Sequence, residues 1–246
     1  MTALALLAGA AGAWTALAAL AYTVGADLWY RAPGRRALRS GPPGEAEVAL
    51  TFDDGPDPVW SPRIAALLES EQARGTFFVL ASRARQHPDV VRRLLDGGHE
   101  VALHGYDHLP LWLTGPRATC RRLEEAVAIL HDIDPRACPR FYRPPWGHFN
   151  LAAARCARSM GMRLVLWSSA PPDWAPGVPP RVVADRVAAA LRPGAIVDLH
   201  DGGRADRARR LFEALPEALR AGRGRGLRFV TLSRLLDERE GAGGEP

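Results

Sequence analysis

The residues able to do chemistry fall into a few short clusters. Asp53 and Asp54 stand side by side ahead of Gly55-Pro56, and His104 and His108 are four residues apart. Further on come Arg143 before Pro144-Pro145-Trp146-Gly147, then Asp173-Trp174, then His200-Asp201-Gly202. Two adjacent acids before Gly-Pro also suit an ordinary turn, in which Asp bonds its own backbone. At a loop, however, neighbouring side chains diverge, so one carboxylate can hold a cation while the other stays free as a base. Imidazoles at i and i+4 lie on one helical face, within chelating reach. Adding a carboxylate to two imidazoles gives the ligand set of a catalytic zinc site with one position open to water, and other divalent metals also fit it. A cation bound there lowers the proton affinity of water, which can then attack a carbonyl at neutral pH.

The elements that must position these groups follow from the patterning. From Glu47 onward, short β-branched or aromatic runs alternate with helical stretches: 48–52, 76–80, 100–104, 140–144, 163–167, 195–200 and 228–232 read as strands. Ser61-Pro62 reads as an N-cap followed by proline in the first turn, and Asn150 as the cap of a helix ending before Gly161. Gly115-Pro116 opens the longest expected helix, to about Ile133. Seven strand–helix units predict an α/β domain whose parallel sheet is closed or nearly closed into a barrel, with an open doubly wound sheet as the competitor. In both, chemistry collects beyond the C-terminal ends of the strands. The clusters above fall there.

The remaining composition sets the context. The chain has 246 residues and a net charge of +5, with every basic residue an arginine. The charge is scattered and forms no basic stripe interleaved with aromatics, which argues against nucleic acid as a partner. Ala3 to Val24 carries no charge and Tyr22, Trp29 and Tyr30 follow, so residues 1–30 read as a hydrophobic N-terminal helix, an anchor or an uncleaved signal. Residues 31–46 read as a Pro/Gly/Arg linker, 47–236 as the catalytic domain and 237–246 as a tail. Cys120, Cys138 and Cys156 show no metal-ligand spacing and read as buried thiols, with a disulfide between two of them left open. His87, His99, His131 and His148 read as surface or capping side chains, and Asp201 as a turn residue.

Taken in order, Thr51-Phe52-Asp53-Asp54-Gly55-Pro56, His104-x-x-x-His108, Arg143-Pro144-Pro145-Trp146, Asp173-Trp174 and Leu199-His200 resemble the five motifs of the polysaccharide deacetylases, the carbohydrate esterases with a NodB homology domain. The resemblance runs from about Glu47 to Leu236 and implies a distorted (β/α)7 barrel of the polysaccharide deacetylase type, here preceded by the N-terminal hydrophobic helix. It implies that Asp54, His104 and His108 hold a divalent metal, most often Zn2+. Asp53 would be the general base and Arg143 the residue orienting it. His200 would be the general acid, tuned by Asp173. Pro145, Trp146, Trp174 and Leu199 would border the substrate, with the backbone N–H near Trp146 helping to stabilise an oxyanion. Trp60 and Trp112 are further candidates for stacking on sugar rings.

Three positions depart from the family pattern. Gly105 stands where Ser or Thr is common, Ala170 where an Asp often follows Trp167, and Trp146 where Tyr is frequent. None removes a catalytic role. The expectation is therefore a metal-dependent hydrolase removing N-acetyl groups from N-acetylglucosamine units of chitin-like oligosaccharides, peptidoglycan or another envelope glycan. An envelope O-acetyl esterase and a non-catalytic glycan-binding protein on the same fold are the alternatives. The expected partners are an N-acetylated glycan and a membrane reached through the N-terminal helix. The expected state is a monomer, with the catalytic domain outside the cytoplasm or secreted after cleavage.

Overall fold

In a computed structural model that describes residues 14–32 and 37–237, the apolar runs become eight strands. They are β1 (Ala37–Leu38), β2 (Glu47–Gly55), β3 (Thr76–Leu80), β4 (Glu100–Gly105), β5 (Phe141–Tyr142), β6 (Arg163–Val165), β7 (Ile196–His200) and β8 (Arg228–Val230). All pair in parallel, in the order β1-β6-β5-β4-β3-β2-β7, with β8 beside the start of β2. Past β6 the chain still reaches β7: Ser169 bridges Val197, and the Asp198 N–H donates to the Ser169 carbonyl at 2.9 Å. The sheet thus curls round as a parallel half-barrel. Every strand expected from the sequence is present, and β1, within the stretch read as a linker, is additional.

The crossovers are helices α2 (Trp60–Ser70), α3 (Ala81–Gln86), α4 (Pro88–Asp96), α5 (Pro116–Ile133), α6 (Leu151–Ser159), α7 (Pro180–Ala190), α8 (Ala205–Arg223) and α9 (Leu232–Asp237). They follow an N-terminal helix α1, residues 14–31, which contains a π-helical turn at Ala21–Gly25. Asn150 caps α6 as expected, its side chain accepting from the Ala153 N–H at 2.7 Å. At α2 the cap is Asp57 and not Ser61: Asp57 Oδ1 accepts from the N–H groups of Val59 and Trp60 at 2.9 and 2.8 Å. Ser61 lies inside the helix, and its hydroxyl donates to Asp201, which is fully buried in the bend after β7.

Period-two alternation sorts the strand side chains into two sets. Leu50, Phe52, Phe77, Val79, Leu103, Leu166, Val197 and Leu199 face outward into the main core beneath the helices. Ala49, Phe78, Ala102, Phe141, Val165 and Ile196 form an inner apolar layer, joined by Leu232, Leu235 and Leu236 of α9. Two residues further along the same strands the inner set turns polar: Thr51 and Asp53, His104, Arg143, Trp167, Asp198 and His200. The site is the upper layer of the barrel interior, resting on an apolar floor.

Three further expectations are corrected. Among the described residues no helix is long and apolar enough to cross a membrane, which overturns the membrane anchor and the localisation built on it. The end of that segment packs on the domain, while residues 14–21 are exposed: Ala26 and Tyr30 are buried, and the Tyr22 hydroxyl donates to the Thr114 carbonyl at 3.4 Å. Residues 1–13 and the tail beyond residue 237 lie outside the described residues. The cysteines are not three buried thiols: Cys120 and Cys156 form a disulfide joining α5 to α6, and Cys138 is free and exposed. His99 is buried and not on the surface, its Nδ1 accepting from the Gly75 N–H at 3.1 Å.

Candidate active site and metal centre

The end of β2 separates its two acids by backbone geometry. Asp53 continues the inward set, whereas Asp54 adopts a left-handed conformation with φ of 70°, which breaks the alternation and swings its carboxylate toward β4. There Asp54 Oδ1 lies 3.5 Å from His104 Nε2 and 3.0 Å from His108 Nε2. His104 Nδ1 faces the Arg143 carbonyl oxygen at 2.9 Å and donates to it, which leaves Nε2 with its lone pair toward Asp54. One ligand atom from each of the three residues lies within 4.8 Å of the others. Asp54 Oδ1 is buried and has no hydrogen-bond partner, so the donor set fits a cation. Burial pushes the Asp54 carboxyl up, but His104 and His108 outweigh it and hold the group well below the usual carboxylate range. Burial lowers His104, while Asp53 and Asp54 draw it above its ordinary value; the same field favours a metal ion.

A second group lies alongside. Arg143 is fully buried, its guanidinium stacked 4.1 Å from the Phe78 ring centroid. Its Nη1 donates to Asp53 Oδ1 at 2.7 Å, to the Thr51 hydroxyl at 2.8 Å and to Asp198 Oδ1 at 3.1 Å, and its Nη2 donates to the Leu166 carbonyl at 3.0 Å. Asp53 is thereby held beside, but apart from, the Asp54 cluster. A third group adjoins it on the neighbouring strand β7. Asp173, buried, accepts from His200 Nδ1 at 3.0 Å through one oxygen and from the His200 backbone N–H at 3.0 Å through the other. Burial lowers the imidazole, but Asp173 outweighs it and raises His200 to about 9, so the ring is protonated at neutrality with Nε2–H available.

These groups border one cavity of about 540 Å³, which Asp53, Asp54, His104, His108, Trp146 and His200 all line. Trp146 forms one wall, its ring centroid 4.8 Å from that of His108, and Trp174 another, 5.6 Å from His200. Trp146 is held at φ 60° and is followed by Gly147 at φ 65°, an unusual left-handed pair that aims the tryptophan at the opening. Pro145 is buried behind this wall, in a small separate cavity with Gly105 and Tyr142. Trp112 lies over a neighbouring groove with His148 and Phe149, and Trp60 packs on Phe212 away from the site.

Leu199 is corrected as a cavity residue. On β7 it alternates with Asp198 and His200, so it faces outward into the main core and Asp198 lines the cavity instead. Sequence reasoning missed Asp198, although an acid inside the apolar run Ile196–Leu199 is a legible signal, since burying a charge needs a partner. It also missed Arg207 of α8, whose Nη2 donates to Asp54 Oδ2 at 2.7 Å and to the Gly202 carbonyl. Nothing in the local sequence marks that residue.

Comparison with known proteins agrees with this geometry. The family described as polysaccharide deacetylase matches residues 40–165. The chain is 38% identical over 169 residues to a chitooligosaccharide deacetylase of Sinorhizobium fredii, covering 68% of this chain and 77% of that protein. It is 36% identical over 202 residues to a peptidoglycan-N-acetylglucosamine deacetylase of Bacillus cereus, covering 79% and 90%. Among solved structures, the Bc1960 peptidoglycan N-acetylglucosamine deacetylase matches with a TM-score of 0.77 at 29% identity, covering 82% of this chain and 92% of that one. Peptidoglycan deacetylase PdaC from Bacillus subtilis matches with a TM-score of 0.71 at 28% identity, covering 81% and 94%. By motif order, barrel and relatives together, the chain belongs to the polysaccharide deacetylase family and is an enzyme of that family.

Proposed function

We propose that the protein is a metal-dependent N-deacetylase that hydrolyses the acetamido group of N-acetylglucosamine units in a chitin-like oligosaccharide or in peptidoglycan. The observation that carries this reading is the convergence, on one cavity, of Asp53 held by Arg143 and a protonated His200 held by Asp173, neighbours across the β2–β7 ladder, with the Asp-His-His cluster beside them. Asp54, His104 and His108 would hold the cation, zinc by the character of the donors, which when bound supplies Lewis acidity and an acidified water. Asp53 takes the proton of the attacking water, and Arg143 holds its carboxylate in place through the 2.7 Å bond. The Trp146 N–H donates to the carbonyl oxygen as charge develops there. His200 gives its Nε2 proton to the departing amine, and Asp173 stabilises the imidazolium before transfer. Trp146 and Trp174 offer faces for the sugar rings. The names of the relatives support both glycans.

The test is acetate release from N-acetylglucosamine oligomers and from peptidoglycan, with and without chelator. Release that chelator abolishes and zinc restores is expected from at least one of them. Release unaffected by exhaustive chelation, or none from either glycan with zinc present, rejects the reading.

A further inference from the structure

Asp198 lines the cavity but belongs neither to the metal cluster nor to the two proton-handling pairs. On β7 it sits two residues before His200, and it is paired with Thr51 of β2 where His200 is paired with Asp53. Side chains two apart on a strand share a face and are separated by about 6.5 Å along it. Asp198 therefore lies one layer deeper in the barrel than the acid and the base. Trp167 and Ala170 line the cavity with it. Its side chain is 5% exposed, and Oδ1 takes the Arg143 bond. Burial, reinforced by nearby Asp53, pushes the carboxyl up to about 7, so close to neutrality the group is both donor and acceptor.

A sugar chain is too wide to enter the barrel and stays at the mouth, where Trp146 and Trp174 are 58% and 47% exposed. With the sugar at the mouth and the amide carbon beside Asp53 and His200, the acyl substituent is the part left to extend inward, toward Asp198. An acetyl methyl would set carbon against a buried carboxyl, whereas a hydroxyl on the acyl chain would pair with it. We propose that Asp198 is a specificity-determining residue that hydrogen-bonds a hydroxylated short acyl group, such as hydroxyacetyl, on the amino sugar. This rests on the N-deacylation proposed above and names the acyl class that the same site prefers. The reaction remains hydrolysis: the water oxygen bonds to the carbonyl carbon, the C–N bond breaks and the nitrogen takes a proton. The products are hydroxyacetate and the free amine, with no change of oxidation state.

The test uses glucosamine oligomers N-acylated with hydroxyacetyl, propionyl or acetyl groups. Hydroxyacetyl and propionyl differ by a hydroxyl for a methyl, so their ratio of kcat/KM reports the hydroxyl and cancels any general loss of activity. The wild type is expected to favour hydroxyacetyl over propionyl by about tenfold or more. Asp198→Leu should bring the ratio to one or below, and Asp198→Asn, which keeps size and hydrogen bonding, should fall between; thermal melts check that each variant folds. A wild-type ratio near one, or an unchanged ratio in Asp198→Leu, overturns the role of Asp198 and leaves N-deacylation standing. If Asp198→Leu does not fold, the wild-type and Asp198→Asn ratios decide. Failure of every substrate to release its acid overturns the N-deacylase reading, and this one with it.

Discussion

Asp53 and Asp54 are chemically identical neighbours that their surroundings assign to different work. Asp53 is tied to Arg143 at 2.7 Å, while Asp54 presents an unpaired Oδ1 to two imidazoles. Asp53→Asn keeps the volume and removes the base, so kcat should fall by about 10²–10⁴-fold, while zinc stoichiometry stays that of the wild type. Loss of bound zinc in that variant would mean that Asp53 is a ligand. His200 carries a pH signature. Its ring is raised to about 9, so activity should decline as pH rises through that value and the departing amine loses its proton donor. A pH–rate profile without a limb near 9 would remove His200 as the acid. The sign for stability is the same: the raised histidine stabilises the fold fully below about 6.5, its unfolded value, and this is lost as pH rises through about 9. The acids and imidazoles were legible in the sequence because they stand at strand ends, where apolar runs stop. Leu199 misled because motif adjacency to His200 says nothing about which face of the strand a residue occupies, and parity gives the cavity to Asp198.

Among the elements, strands buried on both faces read clearly as continuous apolar runs, which is why seven of the eight were visible. β1 was not, because Ala37 and Leu38 stand between arginines in a Pro/Gly/Arg-rich stretch that offers no apolar run. Helix α1 is present as expected but is no membrane span, and among its described residues only Ala26 and Tyr30 are buried. Its last turn is instead a clamp on the loop that carries Trp146. Asp27 Oδ1 accepts from the Phe149 N–H at 2.9 Å, Arg31 Nη2 donates to the Gly147 carbonyl at 2.5 Å, and the rings of Tyr30 and Phe149 are 5.6 Å apart. The Asp27–Arg31 pair is itself bonded at i,i+4. Because Trp146 is held in a left-handed conformation, its wall depends on such outside restraint. Arg31→Ala should lower kcat by about tenfold through misplacement of that wall, without changing zinc affinity. Unaltered kinetics in Arg31→Ala and in Asp27→Ala would show that the loop holds its shape without α1.

At the level of the whole molecule, the metal cluster joins parts of the sheet that do not touch. Its ligands come from the end of β2 and from the end of β4 and the loop after it, and β3 lies between those strands. In the unfolded chain Asp54 and His104 are separated by some fifty residues, so the three donors assemble only in the native barrel. A cation that binds the native state alone stabilises it by RT ln(1 + [L]/Kd), about 2.7 kcal/mol at one hundred times Kd. For a domain of this size each kcal/mol moves the melting temperature by roughly 2–4 °C. Saturating zinc should therefore raise Tm of the chelated protein by about 5–10 °C, as read by calorimetry at fixed pH. His104→Ala and His108→Ala each remove one donor and should show little of that shift, whereas Asp53→Asn should keep it. A shift of equal size in all of these variants would place the bound zinc elsewhere on the chain and dissociate the cluster from the fold. A shift confined to proteins with Asp54, His104 and His108 intact places the bound cation on those three donors and makes its binding part of what holds the mouth of the barrel together.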